Sequence, residues 1–222
     1  MNNFTVLNYQ GSKNNLRDFI YKNLKPYIQE GKAVFDIFSG SASVSSMFGQ
    51  EYLVYANDAE AYASIIADAL LNPADIPSPS AFLEQIEADY AAIKQALCIP
   101  VLDFINREKT ALKENNYREL SAVYDSYPTV WNQKYSDIIQ KELTVENIRA
   151  ADNYYLFTTY YASNYYGIGQ ALEIDCIIKL IHTRFPSCRN ALLMCLFYAM
   201  KETVFSKDGH MAQPLNPEKN QR

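Results

Sequence analysis

Hydrophobic and polar positions follow two periods along this chain, and the first third is the easiest to read. Residues 14–29 place Leu16, Phe19, Ile20, Leu24 and Ile28 at helical spacing, and Gly31 follows where a helix would end. Residues 33–38, Ala-Val-Phe-Asp-Ile-Phe, form a short apolar run of the kind that makes a buried parallel strand. Five small residues come next, Ser39-Gly40-Ser41-Ala42-Ser43, and residues 44–48 open another helix. Residues 51–56 read as a second strand that closes on Asn57-Asp58. Residues 60–71 then put Ile65, Ile66, Ala69 and Leu70 on one side of a helix. Strand, small-residue loop, helix, strand, acid and helix, in that order, open an α/β nucleotide-binding sheet.

Pro73, Pro77 and Pro79 crowd residues 72–80 and end this unit. Residues 80–149 are mainly helical in pattern, with Ser80 as a cap for the first helix. A further helix is expected over 145–162, a loop over Ser163-Asn164-Tyr165-Tyr166-Gly167-Ile168-Gly169, and a helix over 174–184. Another helix runs from 189 to 204 after Pro186. Residues 206–222 are polar, contain Pro214 and Pro217, and read as loop or disordered tail. The expected organisation is therefore 1–75, 76–205 and 206–222, without internal repeats.

Composition narrows the class. Of 222 residues, 49% are hydrophobic and 20% charged, so a sizeable core can form. The 18 Tyr and 11 Phe are either core or the lining of half-exposed grooves, since Tyr buries a ring and keeps a wet hydroxyl. The net charge of −5 argues mildly against a nucleic-acid binder, but the charge is polarised. Residues 51–100 carry −7 and residues 176–222 carry +4, so a polyanion should prefer the C-terminal half. Cys98, Cys176, Cys188 and Cys195 lack metal-binding spacing and read as free thiols in a reducing cytosol. No signal peptide or membrane span is visible, so a cytoplasmic protein is expected, with no metal.

Three short segments carry candidate chemistry. After the first strand, small residues let a ligand approach the backbone, and the next helix offers free N–H groups. The glycines of a dinucleotide fingerprint and the Gly-Lys-Ser/Thr of a P-loop are both absent, so an ordinary strand-to-helix turn is the alternative. Asp58, beyond the second strand, can accept from two ribose hydroxyls or cap the following helix. Lys13, beside the Gly11-Ser12 turn, can meet a carboxylate or a phosphate.

Taken together, Tyr9-Gln10-Gly11-Ser12-Lys13, then Asp36, Phe38, Gly40, Ser43 and Val44, then Asn57-Asp58, resemble the D12 class of DNA adenine-N6 methyltransferases, which includes the Dam enzymes. The resemblance is specific over residues 8–70. It implies an α/β fold: a partial Rossmann-like sheet for S-adenosylmethionine, with a large, mainly helical insertion for target recognition. It implies that Lys13, with Tyr9 and Gly11 beside it, shapes the pocket for the cofactor carboxylate. Asp36 would sit near the methionine amino group, Phe38 and Gly40 would line the cofactor, and Asp58 would hold the ribose. Ala42 stands where the family has its second glycine, a change that is tolerated if φ there is negative.

A weaker resemblance covers Tyr160 to Asp175 and Ser206 to Pro214, which in relatives lie in the recognition region for double-stranded DNA. Tyr165 and Tyr166, beside Gly167 and Gly169, could stack on or wedge into bases, or could pack in a helical core. His210 could contact phosphate or be an ordinary surface residue, and His182 reads as a helix-face residue. The family's catalytic Asp/Asn-Pro-Pro-Tyr/Phe does not occur in the 222 residues. The nearest strings, Asn72-Pro73 and Asn216-Pro217, lack the second proline and the aromatic. The expectation is one subunit of a split enzyme, a truncated product or a fragment, inactive alone, with a restriction–modification context in view. Its interrupted sheet would expose an edge and an apolar face that seek a second subunit or another copy.

Overall fold

The computed structural model describes residues 6, 13–129 and 155–206. Two units divide the chain: Met1–Ile76 with Phe185–Glu202, and Pro77–Arg184 with Thr203–Arg222, each as far as its residues are described. The second crossing, between Arg184 and Phe185, is marked by Pro186 alone. The helix over 189–203, read in sequence as part of the helical region, belongs instead with the sheet.

In the first unit a 3-10 turn, Lys13–Leu16, leads into α1, Arg17–Leu24, and a second 3-10 turn, Lys25–Tyr27. The helix expected over 14–29 is thus cut at Pro26, which has no N–H to donate. Its inward face also differs: Phe19 is 67% exposed, while Tyr21 packs its ring 5.3 Å from that of Phe48. Strand β1, Val34–Asp36, pairs in parallel with β2, Val54–Ala56, in the register Val34 to Val54 and Asp36 to Ala56. Between them runs α2, Ser43–Phe48, and after β2 comes α3, Ala61–Leu71.

The strands are not buried on both faces. Val34, Asp36, Val54 and Ala56 are half-buried, whereas Phe35 and Tyr55 are 68% and 52% exposed and stack on each other at 4.9 Å. One face of the sheet is therefore covered and the other is open among the described residues. On the covered side Val6, Ala42, Ile66 and Ala67 form a buried cluster, closed by Tyr62, Leu70, Met194 and Phe197. The last two come from α8, Arg189–Thr203, which Asn190 fastens to Asp68 of α3 at 2.7 Å.

The second unit is helical. It contains α4, Pro79–Cys98, α5, Leu102–Lys113, α6, Tyr117–Ser126, and α7, Ile168–Arg184. The cap of α4 is Ser78 rather than Ser80: its Oγ accepts from Ala81 N at 3.3 Å. Pro79, with φ fixed for a helix, takes the first position. Helix α7 starts six residues earlier than periodicity suggests, for a reason that lies in Glu108 and is given below. Of the helix expected over 145–162, residues 145–154 lie outside the described residues, and Phe157–Tyr161 is a π-helical turn. Tyr127, Tyr166, Ile168, Leu172 and Leu180 are almost fully buried in this unit. Burial of side chains of this size stabilises by about 1.5–3 kcal/mol each.

Among the described residues no helix is long and apolar enough to cross a membrane.

Candidate functional site

The parallel strands end side by side, and the loops that leave them are tied together. Asn57 N donates to Asp36 O at 2.8 Å, and Ser39 N donates to Asn57 O at 3.0 Å, so the ladder continues one step past each strand. Asn57 Nδ2 reaches Ile37 O at 3.3 Å. From the other loop, Asp58 Oδ2 accepts from Gly40 N at 2.8 Å and Oδ1 from Glu60 N at 3.1 Å. These two backbone donors, Gly40 first, hold the Asp58 carboxyl below the ordinary carboxylate range. Lys13 donates to Phe38 O at 2.8 Å, which brings the chain entry to the same end of the sheet.

Asp36 lies under this loop and accepts from Ser45 Oγ of α2 at 2.7 Å. Gly40 takes φ 53°, a conformation that favours glycine. Ala42 takes φ 54°, so the condition of a negative φ, under which the alanine would be tolerated without strain, is not met. Its methyl is fully buried against Val6, Ile66 and Ala67, and this contact is what an alanine offers in place of the glycine.

Lys13, Asp36, Phe38, Gly40 and Asp58 are thus gathered at one end of the β1–β2 pair. Tyr9 and Gly11 lie outside the described residues. Asp58 is not the cap of α3, whose N-cap is Glu60 and has no side-chain hydrogen bond. It instead binds the two loops together, and each of its oxygens keeps a further lone pair for a hydroxyl donor. Ser39 Oγ is buried with no hydrogen-bond partner among the described residues, a polar group of the kind a ligand could satisfy. Phe38, 74% exposed, offers a bare ring at the rim. A cationic side chain, two carboxylates, an aromatic ring and a glycine suit a ligand with an amino-acid end, a sugar and a flat base.

The other predicted residues fall in the helical unit. Tyr165 is half-buried and meets Tyr161 edge-on at 6.0 Å. Tyr166 is 1% exposed and packs against Phe157, so its ring lies inside the unit. His182 is exposed on the last turn of α7. His210 lies outside the described residues.

Sequence reasoning passed over Glu108 and Asp175, both buried carboxylates. Asp175 stands on α7 and accepts from Phe157 N at 3.0 Å and Thr158 N at 2.8 Å. Glu108 accepts from Tyr124 Oη at 2.7 Å, Ile168 N at 2.7 Å and Gly169 N at 2.8 Å. It caps α7 from 60 residues away, which is why that helix starts so early. The one signal in the sequence was Gly167-x-Gly169: a Cβ at Gly167 would come within 2.8 Å of Glu108 Oε1.

The sequence profile of the D12 class N6 adenine-specific DNA methyltransferase family matches residues 9–170, and the chain belongs to that family. It is similar to the modification methylase LlaI of Lactococcus lactis subsp. lactis, with 32% identity over 79 residues. That match covers 36% of this chain and 13% of the relative. No solved structure matches the chain.

Proposed function

We propose that this chain binds S-adenosylmethionine at the ends of β1 and β2 and forms the cofactor-binding and DNA-recognising part of a DNA adenine-N6 methyltransferase. The observation that carries the reading is the Asp58 carboxylate bridging the two loops beside Gly40, Phe38 and Lys13. Asp58 would accept from the ribose hydroxyls, as its paired oxygens and remaining lone pairs allow. Phe38 and Gly40 would cover the flat base and leave the backbone room. Lys13, with Tyr9 and Gly11, would meet the methionine carboxylate, and Asp36 its amino group. The bound cofactor supplies the methyl group, whose acceptor is the exocyclic amine of an adenine. The helical unit, Pro77–Arg184 with Thr203–Arg222, would read double-stranded DNA, with Tyr165, Tyr166 and His210 as candidate contacts. The burial of Tyr166 leaves Tyr165 the better placed of the two tyrosines.

The 222 residues contain no Asp/Asn-Pro-Pro-Tyr/Phe, the motif that would hold the flipped adenine. We infer that this polypeptide by itself transfers no methyl group and that the motif comes from a further segment or a second subunit. The alternative is a methyltransferase-like module that binds cofactor or DNA and catalyses nothing. An open sheet face with Phe35, Leu53 and Tyr55 favours a partner, either another subunit or another copy. A groove of about 410 Å³ between β2 and α3 adds to this. A cytoplasmic setting and a role in restriction–modification accord with the resemblance to a modification methylase.

Calorimetry with S-adenosylmethionine tests the cofactor reading. Tritiated-methyl transfer to adenine-containing DNA, with and without a polypeptide carrying the missing motif, separates the two readings. Transfer only with that polypeptide supports the first, and no transfer in either case the second.

A further inference from the structure

The segment between the π-helical turn and α7 is held at both ends by buried carboxylates. Asp175 takes the N–H groups of Phe157 and Thr158, and Glu108 takes those of Ile168 and Gly169. A third buried side chain, Tyr127, donates to Thr158 O at 2.9 Å. Glu108 is 4% exposed and Asp175 1%, so each carries the cost of leaving water. A helix start can be capped by a local Ser or Asn at far smaller cost. Gly167 N is in fact capped locally, by Gln170 Oε1 at 2.9 Å. The long-range carboxylates therefore do more than start helices: they fix the backbone between them.

That backbone carries a row of rings. Phe157 lies 5.2 Å from Tyr161, Tyr161 lies 6.4 Å from Tyr160, and Tyr161 lies 6.0 Å from Tyr165. Tyr160, Tyr161 and Tyr165 are half-buried. Between them the chain turns at Ser163 with φ 65°, closed by Ser163 N donating to Tyr166 O at 2.8 Å. A π-helical turn and a strained turn in so short a stretch persist only when their surroundings fix them. The fixed, half-open rings form a surface on which an unstacked base can lie without further ordering of the protein.

We propose that Glu108 and Asp175 are positioning residues that hold 157–169 as a preformed aromatic platform for an unstacked DNA base. This rests on the reading of the helical unit as the DNA-recognising part. The test uses the full chain and a fluorescein-labelled duplex with one unpaired adenine, titrated over a salt series.

Glu108→Gln puts an amide N–H against backbone donors and should weaken DNA about tenfold or more, the size of a lost stacking contact. The slope of affinity against salt should stay unchanged, because no phosphate contact is removed. S-adenosylmethionine affinity should also stay unchanged. A merely structural role would lower helical circular dichroism and change the salt slope along with the affinity.

If Glu108→Gln does not fold, Gly169→Ala decides instead. Its Cβ would stand 3.3 Å from Glu108 Oε2 and push the carboxylate without removing it. A smaller loss of DNA affinity in the same direction supports the proposal. Wild-type DNA affinity in the folded variant overturns it. Tyr165→Ala separates the two layers. If it leaves DNA binding intact, the DNA-contact reading of the segment fails. If it weakens binding while the folded Glu108→Gln does not, only the positioning role fails.

Discussion

At Ala42 two terms of similar size oppose each other. A left-handed φ costs an alanine about 1 kcal/mol relative to glycine. Burying its methyl returns about 0.8 kcal/mol. Ala42→Gly should therefore move the stability measured by urea unfolding by less than about 1 kcal/mol. A loss of several kcal/mol would mean that the methyl contact with Val6, Ile66 and Ala67 is worth more than its area. Asp175 presents a different balance. Burial raises its carboxyl to about 7, against the opposing pull of the Thr158 and Phe157 N–H groups. Such an acid favours the folded state while protonated. Its contribution is full below its ordinary 3.8 and is lost as pH rises through about 7. The difference in unfolding free energy between the wild type and Asp175→Asn should thus shift against the wild type across that window. A difference that grows in favour of the wild type with rising pH would contradict it. Asp58 was legible as a residue that matters, but its hydrogen bond to Gly40 was not. Periodicity places strands and helices, whereas the contact depends on how two loops meet.

Helices and strands were legible in proportion to how local their causes are. β1, β2, α2 and α3 fall where the apolar runs and small-residue loop put them, because strand ends and turns are written in neighbouring residues. Helix α1 is shorter than its pattern because Pro26 overrides periodicity, and α7 is longer because Glu108 caps it from another helix. The sheet shows the same limit. An apolar run such as Ala33 to Phe38 does not say which faces are covered, and here Phe35 and Tyr55 lie open. This face makes a prediction at its own scale. Replacing both residues by Ser should cost about 0.5–1.5 kcal/mol of stability, the worth of their ring stack, since exposed positions otherwise contribute little. The same change should reduce self-association measured by light scattering. A wild-type chain that stays monomeric at high concentration would remove self-pairing as the purpose of the face.

The whole molecule joins a small parallel sheet, with its gathered ligand-like groups, to a helical unit built around buried carboxylates and tyrosines. Family membership was legible from three motifs within the first 58 residues, and the profile match over residues 9–170 agrees with it. Tyr165 and Tyr166 were legible as rings that could meet bases, but the anchors of the proposed platform were not, because Glu108 and Asp175 stand 67 residues apart in sequence and carry no motif. The account turns on the residues gathered at the ends of β1 and β2. Its most direct test is isothermal calorimetry of S-adenosylmethionine against the wild type and Asp58→Ala, with circular dichroism to show that both are folded. Binding by the wild type, weakened about tenfold or more in the variant, is the predicted result. A folded wild-type chain that takes up no S-adenosylmethionine would contradict it.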